Sequence, residues 1–124
     1  MPVKVAVIED DHAVQLMYKF KLEYEGFQVA VASNGQEGLA LVERFQPQLV
    51  LLDLHMPIMN GTDMLTHVRS ADWGGDMRVI ILANTSKNEA PQALRFLHVD
   101  RYIEKAHSTP GQVVAIVKEV MGIT

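Results

Sequence analysis

One stretch constrains this chain more than any other: Leu49 to Gly61, which reads LVLLDLHMPIMNG. Its apolar residues Leu49 to Leu52 run without a polar interruption and stop at a carboxylate, Asp53. The run is too short for a buried helix. Being continuous rather than alternating, it reads as a strand covered on both faces, the situation of a parallel sheet. Pro57 and the pair Asn60-Gly61 then punctuate a loop. A charge at the carboxyl end of a buried strand falls where open α/β sheets build their sites. The plainer reading of such an Asp is a carboxylate that caps the loop or a nearby helix.

The rest of the chain repeats the alternation of short apolar runs with helical periodicity. Val3 to Ile8 reads as a first buried strand, ending in Glu9, Asp10 and Asp11. Adjacent acids repel one another, so holding them together favours a cation nearby. Asp11 also suits the cap of the next helix. Ala13, Leu16, Met17, Phe20 and Tyr24 form an apolar stripe at helical spacing, and Gly26 ends that helix. Phe27 to Ala32 is a second strand. Asn34 with Glu37 fits a capping pair, and Gly38, Leu41, Val42 and Phe45 give a second stripe closed by Pro47.

After the His55 to Asn60 loop, Met64, Leu65 and Val68 mark a third helix, Trp73-Gly74-Gly75 a loop, and Val79 to Ala83 a fourth strand. Asn84 to Asn88 is polar. Pro91 suits the first turn of a fourth helix with Ala90, Ala93, Leu94 and Leu97 inward. Tyr102-Ile103 is a short fifth strand, followed by Glu104 and Lys105. Thr109-Pro110 starts a fifth helix whose inner face is Val113, Val114, Val117, Val120 and Met121. Strands alternating with helices call for a doubly wound parallel sheet, with expected order 2-1-3-4-5. The first and third strands then adjoin, which gathers Glu9, Asp10 and Asp53 in one crevice.

At 124 residues the chain is the size of a single domain, expected to span residues 1–124. With 48% apolar residues it can bury a sizeable core, and a net charge of −4 argues against direct nucleic-acid binding. The absence of Cys excludes disulfide and thiolate chemistry. No segment reads as a membrane span or signal peptide, so a cytoplasmic location without membrane insertion is expected.

A crevice of carboxylates is an oxygen-ligand site for a hard cation, and Mg²⁺ suits it because it takes a few carboxylates and keeps several waters. A carboxylate beside such an ion is also a nucleophile toward a phosphoryl group. Lys105, at the end of the fifth strand, would pair there with Asp53 or a phosphoryl oxygen; its plainer reading is a solvated surface Lys.

On VIEDD at Val7 to Asp11, LLDLHMPIMNG at Leu51 to Gly61, and YIEK at Tyr102 to Lys105, the chain resembles the receiver domains of two-component response regulators, of the single-domain chemotaxis-regulator type. The resemblance covers essentially the whole chain and implies a flavodoxin-like fold with five strands and five helices. It implies that Asp53 accepts a phosphoryl group from a sensor histidine kinase or histidine phosphotransfer protein and that the signal passes to a downstream protein target. Glu9 and Asp10 are then the metal acids, the His55 carbonyl a further ligand to Mg²⁺, and Lys105 the phosphate-contacting lysine. Such a domain is a signalling module, at most catalysing its own phosphorylation and dephosphorylation. Whether it forms a homodimer is left open.

Two positions depart from the family pattern. A Thr or Ser normally ends the fourth strand and donates its hydroxyl to the phosphoryl group; here that place is Ala83. Strand alternation puts Thr85 on the same side, where it substitutes only if its loop curls inward. The second departure is Ala106, in place of a Pro that usually follows a cis bond. A non-proline cis bond costs about 3 kcal/mol, so a trans bond and a reshaped loop are expected. With Ala83 the usual coupling of that hydroxyl to an aromatic residue, here Tyr102, lacks one end. The expectation is phosphorylation with a weak readout, or one through Asn84 to Asn88.

Three rivals bear comparison. A phosphatase with an Asp nucleophile wants a second Asp at the place of His55. A flavin carrier of the same fold wants a hydroxyl- and Gly-rich phosphate loop where Glu9, Asp10 and Asp11 stand. A pseudo-receiver, a phosphorylation-independent interaction module, draws its case from Ala83 and Ala106. A transition-metal site with His12 and His55 is disfavoured, because the carbonyl of His55 is the better-placed ligand. His67, His98 and His107 read as surface residues, the Met residues as core filler, and Trp73 as a packing anchor.

Overall fold

A computed structural model describes residues 2–123; Met1 and Thr124, the ends of the expected domain, lie outside the described residues. The elements follow as β1 (Lys4–Ile8), α1 (His12–Tyr24), β2 (Gln28–Ala32), α2 (Gly35–Phe45), β3 (Leu49–Asp53), α3 (Gly61–Ser70), β4 (Arg78–Ala83), β5 (Arg101–Glu104) and α4 (Pro110–Val120). The strands form one parallel sheet in the order β2-β1-β3-β4-β5. This is the topology expected from the sequence.

The sheet is buried on both sides, which is why its central strands are continuously apolar. Val5, Val7, Leu49, Leu51, Ile80 and Leu82 face α1 and α4, packing on Tyr18, Leu22, Val113, Val114 and Val117. Ala6, Ile8, Val50, Leu52, Val79 and Ile81 face α2 and α3, against Leu41, Val42, Met64, Leu65 and Val68. Helix starts follow the capping rules. Asp11, Asn34, Asn60 and Thr109 each accept a main-chain N–H of the first turn, and Thr109 with Gln112 closes a capping box.

Two expectations require correction. The stripe assigned to α1 is the wrong one. Phe20 is 58% exposed and Tyr24 90%, while the buried face is Gln15, Tyr18 and Leu22. Both sets have helical spacing; a polar Gln on the inner stripe hid it from a hydrophobicity argument. The second concerns the expected fourth helix, which is absent as an α-helix, so α4 here is the helix read as the fifth. In its place stand two 3-10 turns, Lys87–Glu89 and Gln92–Phe96, with Ala90 and Pro91 extended between them. Pro91 holds Ala90 out of the helical region instead of starting a helix. Leu94 is buried three residues before Leu97, a 3-10 spacing, and Ala93, read as inward, is exposed. The segment closes at His98, which has a φ of 54°. Arg69 of α3 fastens this end by donating to the carbonyls of Leu97 (2.8 Å), His98 (2.9 Å) and Gly74 (2.8 Å).

Trp73 is half-buried against the core, as a packing anchor should be. His67, His98 and His107 are exposed. No helix among the described residues is long and apolar enough to cross a membrane.

Candidate functional site

The crevice follows from strand register. β1 and β3 pair with Ile8 opposite Leu52, so the next residues along the two strands, Glu9 and Asp53, emerge side by side. Asp10 completes the group, and one carboxylate oxygen from each of the three acids lies within 4.8 Å of the others. Glu9 is 1% exposed and Asp53 2%, whereas Asp10 faces solvent. Buried carboxylates are costly unless paired and hydrogen-bonded. Lys105 supplies the pairing: its Nζ lies 2.7 Å from Glu9 Oε1 and 3.3 Å from Asp53 Oδ2. β5 stands two strands from β3, roughly 10 Å, and the long Lys side chain crosses the end of β4 to make this contact.

The remaining oxygens meet main-chain donors. The Asp11 N–H donates to Glu9 Oε2 at 3.1 Å, and the His55 N–H to Asp53 Oδ1 at 3.3 Å. Burial, followed by hydrogen bonding to Glu9 and the charge of Glu9, pushes the Asp53 carboxyl up to about 7, with Lys105 and the His55 N–H pulling the other way. Burial also opposes the charge on Lys105, but Glu9 and Asp53 outweigh it, so the ammonium holds its proton more firmly than usual. The site therefore carries more negative charge than its one lysine offsets, which is the condition a hard cation relieves. The donor set of Glu9, Asp10 and Asp53 fits Mg²⁺ in type, all oxygen, with one acid left open to water.

Gln15 escaped the sequence reading although it shapes this site. Its side-chain amide, buried in α1, donates to the carbonyl of Glu9 (3.0 Å), to that of Ala32 (2.9 Å) and to the Ser33 hydroxyl (3.2 Å). It ties the ends of β1 and β2 together and so positions Glu9. The only signal in the sequence was an i, i+3, i+7 relation to Tyr18 and Leu22.

The loop after Asp53 is drawn closely around it. The Gly61 N–H donates to the Leu54 carbonyl, and a Cβ on Gly61 would collide with the carbonyl oxygen of Asp53. The Gly35 N–H donates to the Met59 carbonyl, against which a Cβ on Gly35 would also collide. Glycine is required at both places for close backbone approach.

At the end of β4, Ala83 is fully buried and brings no donor. The hydroxyl of Thr85 lies 3.2 Å from that of Tyr102, which itself donates to the Thr85 carbonyl at 2.9 Å. Thr85 is thus engaged with β5, in contrast to the inward turn toward Asp53 that substitution for Ala83 would need. All peptide bonds among the described residues are trans, including the one before Ala106, and Lys105–His107 forms a 3-10 turn.

The family model described as "Response regulator receiver domain" matches residues 5–118. The DNA-binding response regulator MtrA of Mycolicibacterium paratuberculosis is 34% identical over 120 residues, covering 95% of this chain and 51% of that protein. Response regulator MprA of Mycolicibacterium vanbaalenii is 34% identical over 82 residues, 66% of this chain and 35% of MprA. The chain therefore spans between a third and a half of these relatives. Among solved structures, the response regulator receiver domain protein (CheY-like) from Methanospirillum hungatei superposes with a TM-score of 0.89 at 27% identity, covering 98% of this chain and 95% of that one. The fold, the strand-end acids with their lysine, and the match across residues 5–118 together make this chain a member of the response-regulator receiver-domain family.

Proposed function

We propose that Asp53 is the phosphoacceptor of this receiver. The observation that carries the reading is the ammonium of Lys105 held between Glu9 and Asp53 at the floor of the three-acid crevice. The donor is a sensor histidine kinase or a histidine phosphotransfer protein. An Asp53 carboxylate oxygen attacks phosphorus, the P–N bond to the donor imidazole breaks with its electron pair returning to nitrogen, and an acyl phosphate forms on Asp53. Lys105 is placed to turn from Glu9 toward a phosphoryl oxygen. Glu9, Asp10 and the carbonyl of His55 would hold Mg²⁺ with Asp53. Bound there, the ion would supply the positive charge that lets carboxylate and phosphoryl oxygens approach. The signal then leaves through the surface to a downstream protein.

The end of β4 favours a second reading. Ala83 lacks the hydroxyl, and Thr85 is occupied by Tyr102, as suits a pseudo-receiver that binds its partner without modification. Intact mass after incubation with acetyl phosphate and Mg²⁺ separates the two. A gain of one phosphoryl group, absent in Asp53→Asn and without Mg²⁺, is the expected result. No gain at short times sinks the acceptor reading and leaves the pseudo-receiver.

A further inference from the structure

The irregular segment after β4 runs beside the edge strand β5 with a groove between them. Of the residues in its two 3-10 turns only Leu94 is buried, so most of the segment stands off the core. The groove has a volume of about 640 Å³, within the range of small-molecule sites. Pro91 and Leu94 give it an apolar wall. Lys87, Arg95 and Arg101 bring three cations to it against one carboxylate, Asp100.

Two smaller cavities carry balanced charge. One of about 310 Å³ beside Trp73 holds Asp76 with Arg78, and one of about 400 Å³ between α1 and α4 holds Lys21 with Glu25. In the groove beside β5 the charges do not balance. The Asp100 carboxylate is already taken, accepting from the Arg78 guanidinium at 3.2 Å and from the Val79 N–H at 2.8 Å. Arg101 is paired with Glu119, whereas Lys87 and Arg95 make no ion pair among the described residues. An ordinary surface Lys or Arg faces open water. These two line one concave surface, where apolar walls strengthen their field, on a chain whose net charge is −4.

We propose that this groove binds a small organic anion, a compact apolar body bearing a carboxylate or a phosphate. Lys87 and Arg95 hold the acid group, and Pro91 and Leu94 receive the body. The planar fork of Arg suits either acid. Bound there, the anion would join the segment after β4 to the edge strand. The site is separate from the three-acid crevice and does not depend on whether Asp53 accepts a phosphoryl group.

The test is an amide chemical-shift titration of the isotope-labelled full chain without Mg²⁺. The probes are 2-naphthoate and adenosine monophosphate, which carry a carboxylate and a phosphate. Their neutral counterparts are 2-naphthol and adenosine, and inorganic phosphate serves as the bare anion. At least one of the organic anions is expected to move the amides of residues 87–102 saturably, with a Kd of about 1 mM or tighter. Its neutral counterpart and inorganic phosphate are each expected to bind about tenfold more weakly. Arg95→Gln should weaken the anion by about tenfold and leave the neutral counterpart unchanged. Lys87→Gln should do the same. Both side chains are exposed, so the spectra away from the groove should be kept.

Saturation by 2-naphthoate alone assigns a carboxylate ligand, and saturation by adenosine monophosphate alone a phosphate. Absence of saturable shifts with either anion would overturn the site. So would shifts centred on Phe20 and Tyr24 or on Trp73, equal binding of an anion and its neutral counterpart, or undiminished binding in both variants.

Discussion

Two regions along the carboxyl edge of one sheet hold their polar groups in opposite ways. At the ends of β1 and β3, Glu9 and Asp53 are buried side by side under Lys105, with further donors from the Asp11 and His55 main chain. Beyond β4, the polar groups belong to a half-buried pair, Thr85 and Tyr102, which bond one another and the Thr85 carbonyl. The first arrangement concentrates charge where solvent cannot screen it, so Asp53 and Lys105 both hold their protons more firmly than usual. The second fastens an irregular segment to an edge strand with neutral hydrogen bonds, each contributing only about 1 kcal/mol. The proposed chemistry belongs to the first region. The second is adjustable, and it is where this chain departs from its family's pattern.

The largest test of that contrast is Asp53→Asn, which should abolish the mass gain from acetyl phosphate completely, while changes at Thr85 and Tyr102 should leave it in place. Next comes pH. Asp53 binds its proton more tightly folded than unfolded, about 7 against 3.8. The stability this brings is complete below pH 3.8 and is lost as pH rises through 7. Without Mg²⁺, urea melts should show wild type losing stability relative to Asp53→Asn between those values, by on the order of 4 kcal/mol. A difference independent of pH would mean that Asp53 is not held in this environment.

Gln15→Met sharpens the comparison at the supporting layer. It keeps the side-chain volume but leaves the Glu9 carbonyl without its amide donor, and it should cost about 2 kcal/mol in chemical denaturation. Slower phosphorylation should accompany the loss if Gln15 positions Glu9. The smallest effect is expected from Tyr102→Phe, about 1 kcal/mol. Faster amide exchange should be confined to residues 84–98, and the rate of phosphorylation should be unchanged. Exchange that also quickened at residues 53–60 would show the two regions to be coupled.

The sheet was legible because burial on both faces forces a continuous apolar run, and such runs leave few alternatives in a chain of this length. The acids were legible for a related reason: carboxylates directly after buried strands have no packing role to explain them. Asp11, Asn34 and Thr109 announced their helices through short-range capping, which depends on neighbours in sequence. By contrast, the inner face of α1 was misjudged because Gln15 is buried by bonds to β1 and β2, partners that hydrophobicity does not register. The segment after β4 was misjudged because Pro91 fits a helix start as readily as an extended junction.

What the sequence determined by itself was local or periodic: where strands and helices lie, how they are capped, and which strand ends carry charge. Tertiary structure alone decided that Lys105 sits nearer Glu9 than Asp53, that Gln15 holds the ends of two strands, that Thr85 is committed to Tyr102, and that Ile58 is held outward in a strained turn. Each of these is fixed by contacts between residues brought together by the fold, whose energies come from burial and distance and leave no periodic trace along the chain.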